Sequence, residues 1–403
     1  MKLTILLIIP NLGQGGAQTV FRDQLVYYSK HHNVISCVFN WDDSFQEDRN
    51  SSIISLDVPA GRNILTKVYF FWKRISRLKR IKEQFRVDIA ISHLEGADYI
   101  NILSRKREKV ITWMHGTKQF DKNISGILGI LRRKIFIPLV YRYSDRVITV
   151  SQGIKEELIH YFNLLQDKII TVNNGISTAD ILVYAEKEIS NDFIKLSNNY
   201  PILITHCRLA KQKNLTALLQ IMVSLPRDSN LKLIILGDGE LRDALLTQCS
   251  LLNLRYFSTW NDDQWTENFD IYFLGYQSNP YPYLKHASLY LMTSLWEGFP
   301  LSLCEALACG LPILAADCYT GPREILCPEL PHGQPVLTPY ISRYGVLMPI
   351  PNSNSQIDIW AETIITIIGD EELRSVLSTS AVKGVIDFDK SKVEDQWLKI
   401  LSI

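Results

Sequence analysis

Two glutamates separated by seven residues mark the most informative stretch of this 403-residue chain, residues 293–326. They are Glu297 and Glu305. A carboxylate accepts two hydrogen bonds at a fixed spacing, which matches the neighbouring hydroxyls of a ribose or of another sugar. The alternative is a capping glutamate followed by a solvated one, but Glu305 lies among leucines and alanines, where a carboxylate without a role is costly. The pair therefore predicts a site that holds sugar hydroxyls.

The residues around the glutamates predict an anion site beside them. Apolar residues 289–292 form a short strand, a helix begins near Pro300 and ends at Gly310, and residues 312–316 form the next strand. In a parallel sheet the loop and the helix N-terminus lie at the carboxyl edge, where open α/β sheets bind ligands. The first N–H groups of the helix and its partial positive charge suit a phosphate. These N–H groups belong to Leu301, Ser302 and Leu303.

Two cations, Arg208 and Lys213, follow an apolar strand at residues 201–206. At a strand-to-helix turn, the fork of an arginine and the point charge of a lysine suit a pyrophosphate. Taken alone, such a pair is usually a surface feature, so this interpretation depends on the anion site downstream. No Asp-x-Asp motif follows a strand, since residues 387–389 (DFD) lie near the C-terminus. We therefore expect no catalytic metal and no cofactor.

The first strand, within residues 1–10, runs into a glycine-rich turn, where Gly15 and Gly16 let the backbone approach a ligand closely. The spacing differs from the Gly-x-Gly-x-x-Gly of dinucleotide folds, so an ordinary strand-to-helix turn is the alternative. His115 follows a predicted strand at residues 109–114 and so lies at a carboxyl edge. A lone histidine is more often structural than catalytic, but this position makes His115 a candidate site residue.

These motifs resemble the GT4 family of retaining GT-B glycosyltransferases, whose Glu-x7-Glu signature is similar to residues 297–310. The likeness extends through residues 317–324 and is similar to bacterial transferases that build surface glycans and lipid-linked oligosaccharides. It implies that Glu305 holds the nucleotide ribose, that Glu297 meets the donor-sugar hydroxyls, and that amides after Phe299 hold the sugar and the diphosphate. The implied donor-binding residues in this stretch are Gly298, Phe299, Leu301, Ser302 and Glu305.

The resemblance also implies roles for the other motifs. Residues 15–18 are similar to the family loop Gly-Gly-Ala-Glu, with Gln18 in place of the glutamate. Residues 207–214 are similar to the element whose Arg and Lys grip the diphosphate, with Cys207 in place of the usual glycine. Relatives carry a His-Gly or His-Asp pair near the donor sugar. The implied site residues outside the glutamate stretch are Gly15, Gly16, His115, Arg208 and Lys213, with Phe273 and Leu274 beside the base.

Strands alternate with helices along the chain, which predicts an α/β fold of two Rossmann-like, doubly wound parallel sheets. The resemblance adds that the two domains face a cleft, as in GT-B enzymes. We expect an N-terminal acceptor-binding domain at residues 1–177, a linker without periodicity at 178–199 and a nucleotide-sugar-binding domain at 200–385. The resemblance implies that a C-terminal helix at 386–403 packs back on the first domain. An insert at 255–269 has no predicted role.

Seven scattered cysteines without a Cys-x2-Cys pair favour a reduced, cytoplasmic compartment. The spacing of the last four is wrong for common zinc sites. Residues 1–10 are expected to be a buried strand rather than a signal peptide, and no apolar run approaches the roughly 18 residues that span a bilayer. Residues 1–177 hold 26 Lys+Arg against 16 Asp+Glu. This excess of positive charge indicates an anionic partner surface.

Residues 68–86 combine four consecutive aromatic residues with seven Lys and Arg. This composition suits the interface of an anionic lipid membrane. The alternative is a helix that packs its apolar side on the sheet and leaves its bases in solvent, and resemblance to membrane-associated GT4 enzymes slightly favours contact with the inner face of the cell membrane. We expect no nucleic-acid partner, and the sequence does not predict an oligomeric state.

We predict that the protein is a retaining hexosyltransferase in the biosynthesis of a cell-surface polysaccharide such as lipopolysaccharide or capsule. Its donor would be a nucleotide diphosphate sugar, with a UDP-linked hexose or N-acetylhexosamine expected, and its acceptor a glycan or a lipid-linked glycan. A nucleotide-sugar epimerase of similar two-domain fold is one alternative and would need no acceptor. A catalytically silent relative in a glycan-assembly complex is another. The second alternative is disfavoured because the chain keeps the charged residues expected at the site: Glu297, Glu305, Arg208 and Lys213.

Overall fold

The apolar runs of the sequence form the strands of two separate sheets. The computed structural model describes residues 2–13, 15–41, 53–121, 126–331 and 333–401. The chain divides into unit 1, Met1–Gly175 with Lys392–Ile403, and unit 2, Ile176–Ser391. Each unit is built around its own sheet and its own hydrophobic core.

Unit 1 forms, among its described residues, a seven-stranded sheet whose strands all run parallel. Such a sheet is buried on both faces, which explains continuous apolar runs such as the one at Ile5–Ile9. The strands are β1 Thr4–Ile9, β2 Asn33–Val38, β3 Ile53–Ser55, β4 Ile89–His93, β5 Lys109–Met114, β6 Arg146–Thr149 and β7 Ile169–Thr171. Their order across the sheet is β3-β2-β1-β4-β5-β6-β7.

The helices of unit 1 follow its strands at the carboxyl ends. They are α1 Gly16–His31, α2 Ile64–Gln84, α3 Glu95–Leu103, α4 Gly126–Leu131, α5 Ile137–Tyr143 and α6 Gln152–Phe162. A π-helical turn, Arg132–Phe136, connects α4 to α5. Helix α2 begins at a capping box, in which Asn63 Oδ1 accepts a hydrogen bond from Thr66 N and Thr66 Oγ1 accepts one from Asn63 N.

Unit 2 forms, in its described part, an eight-stranded sheet in the order β10-β11-β9-β8-β12-β13-β15-β14. All neighbouring strands are parallel except β14 and β15, which pair antiparallel. The strands are β8 Ile202–His206, β9 Lys232–Leu236, β10 Tyr256–Ser258, β11 Ile271–Phe273, β12 Leu289–Met292, β13 Ile313–Ala316, β14 Tyr340–Ile341 and β15 Val346–Met348. The prediction of two doubly wound α/β sheets is confirmed.

The helices of unit 2 include two that lie in the segment expected to be a linker without periodicity. They are α7 Thr178–Ala185, α8 Asn191–Asn199, α9 Leu215–Ser224, α10 Arg242–Leu251, α11 Tyr281–Lys285, α12 Leu301–Ala308, α13 Pro322–Leu326, α14 Asn354–Gly369 and α15 Glu371–Ala381. Residues 178–199 are therefore largely helical. Ser177 and Ser190 cap α7 and α8 by accepting hydrogen bonds from Asp180 N and Asp192 N. These capping serines were the missed sequence signal.

The C-terminal helix, α16 Lys390–Leu401, carries residues 392–401 into unit 1. Trp397 is buried there, with its ring 5.7 Å from the ring of Tyr27. Its backbone carbonyl accepts a hydrogen bond of 3.4 Å from the Tyr28 hydroxyl. The last two residues of the predicted helix, 402–403, lie outside the described residues. Aromatic packing on α1 therefore fixes the chain terminus within unit 1.

The insert at 255–269 forms β10 at the edge of the unit 2 sheet, followed by a turn. Asp263 Oδ2 accepts a hydrogen bond of 3.1 Å from Ser258 N, and the ring of Trp265 lies 4.7 Å from that of Tyr272. The insert therefore extends the sheet and packs on β11. No helix in the described part of the chain is long and apolar enough to cross a membrane.

Candidate active site

The carboxyl edge of the unit 2 sheet brings together most of the predicted site residues. Lys213 ends a short 3-10 turn after β8, and Glu297 lies in the loop between β12 and α12. Lys213 Nζ donates a hydrogen bond of 2.6 Å to Glu297 Oε1. Gln212 Nε2 donates to Glu297 Oε2 at 3.2 Å and to the Trp296 carbonyl at 2.7 Å. Both oxygens of the Glu297 carboxylate are thus oriented by the turn after β8.

Burial makes this ion pair electrostatically significant, because Glu297 is only 5% exposed. Burial alone would lower the pKa of Lys213, but the charge of Glu297 raises it above its ordinary value. Burial raises the pKa of the nearby Cys207 thiol to about 11, so that thiol is neutral. Lys213 therefore keeps a positive charge at a water-poor position.

The N-terminus of α12 lies directly after Glu297, as predicted. Pro300 is its N-cap, and Leu303 N donates to the Pro300 carbonyl at 3.1 Å. The N–H groups of Leu301 and Ser302 belong to the first turn, where the helix offers them no carbonyl partner. They therefore stay available to an anion. Of the three N–H groups expected to be free, that of Leu303 is engaged. The side chains of Leu301 and Ser302 are half-buried, whereas Gly298 and Phe299 are buried.

A second loop braces the turn before α12. Thr320 Oγ1 donates a hydrogen bond to the Glu297 carbonyl. Gly321 has a φ of +92°, and a Cβ at this position would lie 2.9 Å from the Gly298 carbonyl oxygen. Arg323 and the buried Asp317 form an ion pair behind this contact. A residue larger than glycine at 321 would displace the backbone that carries Gly298.

Glu305 lies one turn farther along α12 and is paired with a residue that the sequence analysis did not single out. His206, the last residue of β8, donates a hydrogen bond of 2.7 Å from Nε2 to Glu305 Oε2. The hydroxyl of Tyr281 lies 3.5 Å from Glu305 Oε1. Burial, followed by the charge of Glu305, raises the pKa of Tyr281. Tyr281 therefore stays a neutral donor beside the carboxylate.

The remaining predicted residues of unit 2 differ in exposure. Arg208 is exposed and forms no side-chain hydrogen bond or ion pair among the described residues, so its guanidinium is free for a ligand. Phe273 is fully buried in the core of unit 2, with Leu274 almost as buried. The Phe273 side chain fills the core, which leaves only its backbone atoms for the expected contact with a base.

In unit 1, Gly15 is the N-cap of α1 and Gly16 its first residue. The side chain of Gln18, which stands where the resembled loop has a glutamate, donates a hydrogen bond of 3.1 Å from Nε2 to Asn11 Oδ1. This contact joins the loop after β1 to the first turn of α1. Gln18 is therefore oriented by its own loop and adds no charge to it.

His115 is half-buried and belongs to a hydrogen-bonded chain of side chains in unit 1. Its Nε2 lies 2.8 Å from Nδ1 of His93, whose Nε2 lies 3.2 Å from Gln24 Oε1. His93, at the end of β4, is fully buried and stacks on Trp113. Burial, with a smaller contribution from the charge of Lys118, lowers the pKa of His115 to about 3. His115 is therefore neutral near pH 7 and can act as a hydrogen-bonding group but not as a cation.

Charged residues fix the loop that follows His115. Arg132 donates bidentate hydrogen bonds to Glu95 at 2.8 and 2.6 Å, and Lys118 Nζ lies 3.2 Å from the same carboxylate. Burial opposes ionisation, but these two cations lower the pKa of Glu95 to about 2. The buried carboxylate of Glu157 accepts hydrogen bonds from Lys118 N and Gln119 N. The loop after β5 is thus held on both sides.

Several polar residues of these clusters were not predicted from the sequence, among them His206, His93 and Gln24. His206 and His93 each end a strand at the carboxyl edge of a parallel sheet, which is the signal that could have identified them. Among the described residues, no group of three or more His, Cys, Asp or Glu side chains could hold a metal ion.

Two models of glycosyltransferase families together match most of the chain. Residues 14–180 match the model of Glycosyltransferase Family 4, and residues 186–383 match that of Glycosyl transferases group 1. HepE of Anabaena, solved in complex with UDP, superposes with a TM-score of 0.73 at 20% identity over 100% of both chains. The chain belongs to the GT4-type glycosyltransferases of GT-B fold, and it is an enzyme.

Two named relatives align with most of the chain. It is 25% identical to the N-acetylgalactosamine-N,N'-diacetylbacillosaminyl-diphospho-undecaprenol 4-alpha-N-acetylgalactosaminyltransferase of Campylobacter jejuni, over 98% of each chain. It is also 25% identical to the lipopolysaccharide 1,6-galactosyltransferase of Escherichia coli, over 79% of this chain and 80% of the relative. The chain is thus a glycosyltransferase related to those that act on lipid-linked and lipopolysaccharide acceptors.

Proposed function

We propose that this enzyme transfers a hexose or N-acetylhexosamine from a UDP-sugar to a lipid-linked glycan, with retention of anomeric configuration. The observation that carries the proposal is the arrangement at the carboxyl edge of the unit 2 sheet, where the Lys213–Glu297 pair, Glu305 and the N-terminus of α12 converge. Relatives named for diphospho-undecaprenol and lipopolysaccharide acceptors support the acceptor class. The UDP in complex with HepE supports the nucleotide.

In this proposal each group serves one part of the donor. Glu305 accepts hydrogen bonds from the two ribose hydroxyls, and Glu297 from hydroxyls of the sugar. Arg208, Lys213 and the N–H groups of Leu301 and Ser302 bind the diphosphate. For unit 1 taken by itself, the proposal keeps Gly15 and Gly16 as positions where the backbone can approach a ligand, and the neutral His115 as a hydrogen-bonding group for a sugar or acceptor hydroxyl.

The reaction breaks the bond between the anomeric carbon and the β-phosphate oxygen, and both electrons of that bond leave with the oxygen. The sugar develops oxocarbenium character while the acceptor oxygen approaches from the same face. The hydroxyl proton passes to the departing phosphate, so that the products are the new glycoside and UDP. Arg208, Lys213 and the N-terminus of α12 stabilise the negative charge of the leaving diphosphate, and no metal takes part in this proposal.

The proposal places the enzyme on an anionic membrane surface. The first half of α2 exposes large apolar side chains, among them Leu65 (82% exposed), Tyr69 (62%) and Trp72 (59%). The segment from α4 to α5 exposes a second apolar set, including Ile127 (78%), Ile135, Phe136 and Leu139. Exposed Lys79, Arg80, Lys134 and Arg142 accompany them. Exposed aromatic and aliphatic groups beside bases match the interface of a bilayer with anionic lipids.

The structure revises which bases of residues 68–86 could serve this purpose. Arg74 donates hydrogen bonds of 2.8 and 3.1 Å to the carbonyls of Val58 and Pro59. Arg77 donates to the carbonyls of Leu56 and Asp57. Both arginines are among the seven bases of residues 68–86, but they hold the loop before α2 and are not free to meet a membrane surface. Lys79 and Arg80 stay exposed.

Binding of UDP, measured by titration calorimetry, tests the proposal at its central group. The E305A variant should lose about 10- to 100-fold in affinity, because hydrogen bonds to a charged group contribute about 1.5–3 kcal/mol. The matched control is E362A, which removes an exposed glutamate of α14. Equal affinity of E305A and E362A for UDP would contradict the role of Glu305.

A further inference from the structure

His206 is the group in unit 2 whose contacts the proposed reaction does not yet explain. It is the last residue of β8, is 9% exposed and packs its ring at 66° to that of Tyr290, with 5.4 Å between the centroids. Its Nε2 lies 2.7 Å from Glu305 Oε2. Strand and aromatic neighbour fix the imidazole, so its N–H is aimed at one oxygen of the glutamate.

The chemistry of the pair sets the direction of this hydrogen bond. A carboxylate only accepts, so Nε2 of His206 carries the hydrogen and donates it. The other ring nitrogen, Nδ1, is buried and has no hydrogen-bond partner among the described residues. A buried acceptor without a partner is tolerated better than a buried donor without one, which favours the same arrangement. The imidazole therefore has a single polar task here, which is to hold Glu305.

The hydrogen bond from His206 leaves other acceptor positions of the Glu305 carboxylate open. The two oxygens offer about four acceptor positions, and the 3.5 Å contact from Tyr281 is long for a hydroxyl donor. Acceptor positions thus remain for two further hydroxyls. A glutamate on a helix has several rotatable bonds, and fixing them before the ligand arrives removes an entropic cost from binding.

We propose that His206 is a positioning residue that holds Glu305 in the orientation required by a ribose 2′,3′-diol, and that it thereby sets the preference of the site for ribonucleotides. The inference rests on the proposed binding of a ribonucleoside diphosphate by unit 2. It extends that function to a residue that contacts the carboxylate and not the nucleotide.

The test compares UDP with 2′,3′-dideoxy-UDP by titration calorimetry on the full chain. The parent should bind UDP about 10- to 100-fold more tightly than the dideoxy compound, since the diol meets a charged acceptor. H206F keeps a ring against Tyr290 but lacks the donor. The affinity of H206F should fall about tenfold for UDP and less than about twofold for the dideoxy compound. H206N, whose amide can donate, should recover part of the loss, and H160A, at an exposed histidine of unit 1, should match the parent.

The outcomes separate the inference from the function on which it rests. A ribose preference that is lost in E305A but unchanged in H206F overturns the role of His206 and leaves the proposed site intact. Failure of the parent to bind UDP overturns the proposed function. Equal weakening of both ligands in H206F would show that His206 is merely structural and contradict the inference. If H206F does not fold, as judged by its thermal unfolding, H206A and H206N give the same comparison.

Discussion

Lys213 and Glu297, 84 residues apart in the chain, meet at 2.6 Å where the turn after β8 faces the loop before α12. The contact joins the cation expected to meet the diphosphate to the carboxylate expected to meet the sugar. Because Gln212 also donates to Glu297, one turn orients both functions. The same turn therefore holds both the group expected to bind the diphosphate and the group expected to bind the sugar.

A double substitution separates the stability of this pair from its function. K213M leaves the buried Glu297 carboxylate without its cation, which should cost about 3–5 kcal/mol in the free energy of unfolding. K213M combined with E297Q removes both charges and should recover most of that stability while transfer stays lost. Urea unfolding and turnover with a UDP-sugar measure the two quantities. Parent-like turnover in the double variant would show that the pair is structural only.

Removing the Arg208 guanidinium should affect catalysis and not folding. The side chain is exposed and unpaired among the described residues, so R208A should change the free energy of unfolding by less than about 0.5 kcal/mol. Turnover should fall about 100- to 1,000-fold, as is typical when one group that stabilises a developing negative charge is lost. R227A, at another exposed arginine of unit 2, is the control. The role of Arg208 is refuted if the two variants turn over equally.

The neutral His115 predicts a specific dependence of stability on pH. Its pKa is about 3 in the folded protein against an ordinary value of 6.5. The unfolded chain therefore binds the proton more readily between these values, and the contribution of His115 to stability is lost as the pH falls from about 6.5 to about 3. The difference between the parent and H115Q in the free energy of unfolding should change by a few kcal/mol across this window. A constant difference between the two proteins would contradict the neutral state of His115.

Membrane contact should depend on the exposed side chains of α2. Y69S/W72S should weaken binding to phosphatidylcholine vesicles that contain phosphatidylglycerol, because it removes two exposed aromatic groups. K79S/R80S should weaken it by about 2 kcal/mol at low salt, at about 1 kcal/mol per base. The control is L251S/V376S, which removes exposed apolar groups of unit 2. Vesicle flotation that is the same for all three variants would argue for a solvated helix at α2.

Local sequence signals predicted the strands and the start of α12 because each depends on neighbouring residues. Pro300 favours the start of a helix and Gly310 favours its end wherever the surroundings permit a helix. Gly310 adopts the expected positive φ. The capping serines at 177 and 190 carried the same kind of signal for α7 and α8, but the polar composition around them obscured it.

The partners of the site residues could not be predicted in this way. His206 and Glu305 are 99 residues apart, and His93 and Gln24 are 69 apart. Which strand ends become neighbours depends on the order of strands in the sheet, and local composition does not encode that order. The distinction between Arg74 and the exposed Arg80 has the same origin, because it depends on where the loop before α2 returns.

The most direct test of the proposed reaction is product analysis with a labelled UDP-sugar and an undecaprenyl diphosphate-linked glycan, in the presence of EDTA. We expect labelled glycolipid and UDP to form in equal amounts, the new linkage to keep the anomeric configuration of the donor, and E305A to form much less of both products at the same donor concentration. Three results would contradict the proposed reaction: conversion of the donor to another sugar nucleotide without an acceptor, a strict requirement for a divalent ion, or no turnover with any UDP-sugar that the protein binds.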